Sequence, residues 1–217
     1  MIGFAAGVSK DFYNVFMSSF APFLTMRVAE KMRMSLGYMG ANVKLVAIGS
    51  GLSMGFLGNS HYGLEDIAIM KAIPGLAIVS PADCLELFKN IESASEYYGP
   101  MYIRLTGAPD NPIVYDKDCN FDFGKAVWLK EGSDVCIVAT GSMAAHSITA
   151  ANLIMQDSIS CSVVNMHTIS PIDSKSLDKA FDDHSLVVTV EEHFMSGGLG
   201  TSVAEYKAKK IKVASSQ

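Results

Sequence analysis

The sequence predicts an α/β protein built of two three-layer units with mostly parallel sheets. Three observations carry this. Short apolar runs rich in β-branched residues alternate with longer helix-like stretches. These runs read as continuously hydrophobic, the mark of strands in a parallel sheet covered on both faces. Near the middle of the 217 residues, a stretch rich in Pro, Gly, Asp and Asn interrupts the pattern. It divides the chain into units of about 1–110 and 120–217.

In the first unit, residues 1–9 read as a helix with no element before it, and 43–48 (VKLVAI) as a buried strand. Residues 64–72 read as a helix and 76–80 (LAIVS) as a second strand. The segment 81–83 opens another helix, with Asp83 near its positive end, running through Leu85 and Phe88 towards Ala94. Residues 101–105 (MYIRL) read as a third strand. From 107 to 119, Gly107, Pro109, Pro112 and four Asp or Asn residues have the composition of a linker. The pattern then restarts with a strand at 135–139, Thr140-Gly141-Ser142, and a helix through Leu153. A strand at 161–165, a helix within 171–181 and a strand at 186–190 follow. Gly197-Gly198-Leu199-Gly200 leads into a helix at 201–209, and 211–214 reads as one more short strand. Both ends read as cut, because a parallel sheet usually closes with a helix over its last strand.

Composition excludes several functions. Net charge is −5, which offers nucleic acid or an anionic membrane surface no electrostatic footprint. No apolar stretch approaches the roughly 18 residues of a membrane span. The start lacks the basic region of a signal peptide, so a cytoplasmic location is expected. Cys84, Cys119, Cys136 and Cys161 form no CxxC pair, and Cys84, Cys136 and Cys161 read as small core residues in a reducing compartment. The histidines (His61, His146, His167, His184, His193) lack the helical spacing of a zinc site, so no metal ligand is expected. Thirteen methionines and a mean hydropathy of +0.26 are apolar for a self-contained soluble chain. They imply surface covered by a partner, or part of something larger.

Four segments could carry chemistry. Gly49 to Gly58, followed by Ser60-His61, is a glycine-rich loop after a strand. It fits neither a phosphate loop nor a dinucleotide fingerprint. His61 behind it could polarise a carbonyl or move a proton, or simply begin a helix. Phe20 and Phe23 could stack a flat heterocycle or pack a core. Glu191-Glu192-His193 with Gly197 to Gly200 is either a site or a tight structural turn. Glu65-Asp66 reads most simply as a structural ion pair.

In this order, the segments resemble the C-terminal half of transketolases, the thiamine-diphosphate enzymes, and in particular the type split into two polypeptides. The sequence Ser19-Phe-Ala-Pro-Phe-Leu-Thr-Met-Arg27 resembles the family's STFA-x-F-x-T-x-R. The run from Gly58 to Pro74, with Ser60-His61 and Leu64-Glu-Asp-Ile-Ala68, resembles G-x-[ST]-H-x-x-LEDIA-x-MR-x-[IL]P. Val79-Ser-Pro-Ala-Asp83, Tyr102-Ile-Arg-Leu105, and Thr189-Val-Glu-Glu-His193 with Gly197-Gly-Leu-Gly200 resemble the VxPAD, YIRL and TVEEH…GGLG motifs.

The resemblance implies a pyrimidine-binding domain at 1–110 and a transketolase C-terminal domain at 120–217. It implies Phe20 and Phe23 around the aminopyrimidine, Arg27 opening the next helix, and His61 at the donor carbonyl. Thiamine diphosphate is the implied cofactor, with magnesium and the diphosphate held by a partner half. The implied assembly is a dimer or heterotetramer transferring a two-carbon ketol unit between small sugars, with no catalysis by this chain alone.

The family's pyrimidine-contacting glutamate falls before Met1, and its last strand and helix fall after Gln217. Gly49, Leu57 beside Phe56, and Gly107 stand where the family places phosphate- and hydroxyl-reading residues. Each lost charged contact to a phosphate costs roughly 1.5–3 kcal/mol. An unphosphorylated or nucleotide-linked sugar is therefore expected in place of an ordinary ketose phosphate. Two other readings fit the same residues. One is a non-catalytic paralogue docked on such a half. The other is a component of a deoxyxylulose-phosphate synthase or a 2-oxoacid dehydrogenase.

Overall fold

The computed structural model describes residues 1–107 and 111–210. The first sheet contains β1 (Val15–Phe20), β2 (Val43–Ile48), β3 (Ala77–Val79), β4 (Met101–Arg104) and β8 (Thr168–Ser170), in the order β1-β2-β4-β3-β8. The first four are parallel, with Phe20 beside Ile48 and Lys44 beside Met101. Alternation along the strands loads both faces. Leu45, Ala47, Tyr102 and Ile78 point into a core with Ile2 of α1 (Ile2–Val8), Leu24 of α2 (Ala21–Leu24) and Met32 of α3 (Ala29–Met32). The same core takes Leu36 of a π-helical turn (Arg33–Tyr38) and Ile67 and Met70 of α4 (Asp66–Lys71). Val46, Ala77, Val79, Met101 and Ile103 point the other way, onto Leu87, Ile91 and Ala94 of α5 (Cys84–Glu96). Burying each such Leu or Ile side chain contributes about 1.5–3 kcal/mol. Asp83 caps α5 by accepting the Glu86 N–H at 3.0 Å, as its place before the helix predicts.

The second sheet, ordered β5-β7-β6-β9, contains β5 (Val127–Lys130), β6 (Val135–Ala139), β7 (Cys161–Asn165) and β9 (Leu186–Val190). It is parallel except for β5. Cys136, Val138 and Val164 face α7 (Ser174–Asp183) and α8 (Leu199–Lys210). Ile137, Cys161 and Val163 face α6 (Met143–Ile154). Both units are thus the expected three-layer stacks.

Three strands go beyond the sequence reading: the edge strands β1 and β5, and β8. The last lies in the second half of the chain but pairs antiparallel with β3 of the first sheet. The connection from residue 111 onward is pinned. Asp83 Oδ2 accepts the N–H groups of Val114 (2.9 Å) and Tyr115 (2.8 Å), and Asp173 Oδ2 accepts that of Ala126 (3.0 Å). Cys136 and Cys161 are buried as expected, whereas Cys84 is exposed. It is the first residue of α5, where the chain turns out of the core, and Cys119 is the buried one instead. The strand expected at 211–214 lies outside the described residues.

Candidate active site at the carboxyl ends of the first sheet

Phe20 ends β1 in extended backbone and precedes α2, which starts with Ala21 and Pro22. Proline in the first turn costs that helix no hydrogen bond, so the chain turns sharply and sets Phe23 beside Phe20. Their ring centroids are 5.8 Å apart and edge to face. His61 closes the group, its ring 5.2 Å from both phenylalanines. These edge-to-face contacts place ring hydrogens against π faces. The Arg27 guanidinium carbon lies 4.2 Å from the Phe23 ring centroid, within cation–π range. Phe20 and Phe23, read as a pair, His61, and Arg27, which the resemblance implied, therefore stand together. The three rings are half-buried and Arg27 is exposed. His61 Nδ1 lies 3.0 Å from Ser60 Oγ, which leaves Nε2 free to face a ligand.

The loop behind His61 is stapled in place. Gly51 and Gly63 exchange backbone hydrogen bonds at 2.8 and 3.0 Å. A Cβ at Gly63 would lie 2.9 Å from Ala21 Cβ, so α2 and the loop approach as closely as glycine permits. Gly49 has φ +68°, and a Cβ there would lie 2.6 Å from Met54 Cγ and 3.2 Å from the Phe20 ring. Met54 thus fills the space beside Gly49 that a side chain there would take.

Beneath the site lies a buried polar network. Asp66 Oδ2 accepts from Arg104 Nε at 2.8 Å and from Tyr102 OH at 2.7 Å. Arg104 Nη2 continues to Gly63 O (3.1 Å) and Glu192 O (2.7 Å). Burial opposes charge on the guanidinium, but the adjoining Asp66 carboxylate more than offsets it, so Arg104 stays charged. Burial, with Asp66 beside it, also pushes the Tyr102 phenol well up. His193 Nε2 lies 3.4 Å from the Ala68 N and Nδ1 lies 2.7 Å from Phe194 O.

The Glu191 to Gly200 segment is a structural turn. Glu191 accepts the N–H groups of Leu199 (2.6 Å) and Gly200 (2.8 Å) and so caps α8. A Cβ at Gly198 would lie 2.2 Å from that carboxylate. Glu192 accepts from Leu52 N (3.3 Å) and Ser142 Oγ (3.0 Å), tying the loop to the second unit. Sequence reasoning took the acidic pair at 65–66 as structural; Asp66 is the member that forms the buried ion pair, and Arg104 was missed as its partner. The available signal was a lone Arg inside an apolar strand. Among the described residues, no three His, Cys, Asp or Glu side chains group to hold a metal ion, and no helix is long and apolar enough to cross a membrane.

A mostly parallel sheet flanked by helices, with an aromatic and histidine group at its strand ends, defines an α/β domain of the doubly wound kind, a class whose ligands bind at the carboxyl ends of the strands. Comparison with known families is more specific. Residues 1–108 match the transketolase pyrimidine binding domain, and 124–215 the transketolase C-terminal domain. The chain belongs to the transketolase family. A protein of Methanocaldococcus jannaschii described as a transketolase C-terminal section is 40% identical, over 94% of this chain and 64% of its own length. A 6-deoxy-6-sulfo-D-fructose transketolase subunit of Clostridium sp. is 37% identical, over 94% of this chain and 63% of its own. The solved structure of a split-gene transketolase, an inactive β4 tetramer, superposes with TM-score 0.89 at 37% identity, covering 98% of this chain and 68% of that one. The chain therefore spans somewhat under two thirds of the length of the two curated relatives.

Proposed function

We propose that this chain is the pyrimidine side of a thiamine-diphosphate-dependent transferase that moves a two-carbon ketol unit between small sugars, in company with a diphosphate-binding half. The observation that carries the reading is the Phe20–Phe23–His61 group, three rings within 5.8 Å at the strand ends.

The residues present fit the pyrimidine end of the cofactor. A flat, uncharged ring needs a half-buried apolar corner, and Phe20 and Phe23, set edge to face, form one beside which the glycine loop approaches closely. The bound cofactor supplies a carbanion equivalent at its thiazolium carbon. This chain's own residues orient and desolvate. The phenylalanines exclude water, and Arg27 rigidifies Phe23 from its face. His61 donates a hydrogen bond to the carbonyl oxygen of the sugar as negative charge develops there. Magnesium and the diphosphate belong to the partner half, in an assembly of at least one copy of each.

The test is ketol transfer by the reconstituted complex with thiamine diphosphate and magnesium. The expected result is turnover by the complex, none by either half alone, and a fall in kcat of about 10²-fold or more in His61→Ala. Wild-type rates in the His61→Ala complex would remove His61 from the chemistry. A stable complex with no turnover would favour a docking paralogue.

A further inference from the structure

Residues 49–60, between β2 and His61, contain no Lys, Arg, Asp or Glu. A relay of backbone hydrogen bonds sets their path. Gly55 N donates to Leu52 O (2.8 Å), Leu57 N to Met54 O (2.9 Å), Gly58 N to Gly55 O (3.0 Å), and His61 N to Gly58 O (3.0 Å). Gly49, Gly51 and Gly58 supply the positive φ angles that this path needs. Met54 fills the space beside Gly49, and Glu192 accepts the N–H of Leu52. The loop is therefore built, yet it turns Leu52 (51%), Phe56 (82%) and Leu57 (42%) to solvent. Three exposed apolar side chains within six residues, next to the imidazole of a candidate site, mark a surface that something covers.

We infer that Leu52, Phe56 and Leu57 form an apolar wall for the non-reacting end of the substrate, so that the enzyme selects ketol acceptors whose distal part is uncharged and apolar. This rests on the ketol-transfer reading. Phe56 and Leu57 lie on the 3-10 turn Gly55–Leu57, which adjoins the turn Asn59–His61. Leu57 is four residues from His61, a chain path of at most about 14 Å. A molecule with its carbonyl at His61 extends onto that wall. A phosphate laid there would lose hydration against Phe and Leu and meet no cation on the loop. Arg27, which borders the aromatic group, is stacked on Phe23.

The test compares acceptors on the reconstituted complex, with hydroxypyruvate as donor. The acceptors are propanal, butanal, pentanal and hexanal, with glyceraldehyde 3-phosphate as the charged counterpart. The expected result is kcat/KM rising about threefold per added methylene, mainly through KM, and flattening in Phe56→Ala and Leu57→Ala. The inference is overturned if the phosphorylated acceptor outruns pentanal tenfold, or if both variants keep the chain-length dependence. Failure of Phe56→Ala to co-purify with its partner half also overturns it, since the loop then covers protein. If nothing is turned over, the ketol-transfer reading fails separately. The wall is then read by NMR on the full chain carrying methyl-13C methionine. A saturable shift of the Met54 methyl by 1-pentanol, lost in Phe56→Ala and not caused by inorganic phosphate, upholds it. No shift overturns it.

Discussion

Arg104 Nε and Asp66 Oδ2 meet at 2.8 Å as an ion pair whose side chains are 0% and 1% exposed. Removing one member leaves the other charged and dry. Asp66→Ala is expected to cost about 3–5 kcal/mol of stability, read as a lower urea midpoint. Asp66→Met with Arg104→Met should recover much of that loss, because no buried charge then lacks a partner. A loss below about 1 kcal/mol in Asp66→Ala would contradict the assignment.

Gly197 packs on Ala68 across the two halves, with φ +87° and an added Cβ only 2.3 Å from Ala68 Cβ. Gly58 has a similar φ, +77°, with nothing within 4 Å. Gly58→Ala should therefore cost about 1–3 kcal/mol, the strain alone of a backbone conformation (φ +77°, ψ −175°) that is open essentially only to glycine. Gly197→Ala should cost clearly more, because Ala68 backbone must also shift. Equal losses in thermal unfolding would show that crowding contributes nothing.

His167 is buried against the Phe121 ring, centroids 4.5 Å apart, with Nδ1 3.0 Å from Thr168 Oγ1. Burial pulls its pKa down to about 4, against an ordinary 6.5, with Asp122 and Asp173 only partly opposing. The unfolded chain thus takes up this proton first as pH falls. The stabilisation from keeping the ring neutral is whole above about pH 6.5 and drains away towards pH 4, by about 3 kcal/mol in all. His167→Gln should show a shallower decline in chemical unfolding between those limits. An unchanged slope would assign the acid sensitivity elsewhere.

The Glu191 carboxylate accepts two N–H groups at the start of α8, at 2.6 and 2.8 Å. Glu191→Gln keeps one good acceptor and loses the charge, so a cost of about 1–2 kcal/mol is expected, with faster amide exchange at Leu199 and Gly200. Unaltered exchange there would remove Glu191 as the cap.

The strands buried on both faces were legible, because 43–48, 135–139 and 161–165 are continuous apolar runs. Strand β1 was not. Its sequence VFMSSF carries two serines, and it pairs on one side only. Strand β8 was illegible for another reason. Three residues, Thr168–Ser170, become a strand only because β3, some ninety residues earlier, offers its edge. At the site, each of Phe20, Phe23 and His61 carried a bland reading as good as the functional one. Their meeting follows from the sharp turn at Ala21-Pro22 and from the Gly51–Gly63 staple, which local periodicity does not encode. The family resemblance supplied what pattern alone did not.

The β3–β8 pairing means that the first sheet borrows a strand from beyond the connecting segment. Two beads on a string would part at the string, but these halves are interlocked through main-chain bonds, with Arg104 reaching across to Glu192 O as a second clasp. The peptide link between them fixes a one-to-one ratio and is not what holds them together. A polypeptide cut within that link should stay in one piece through a sizing column.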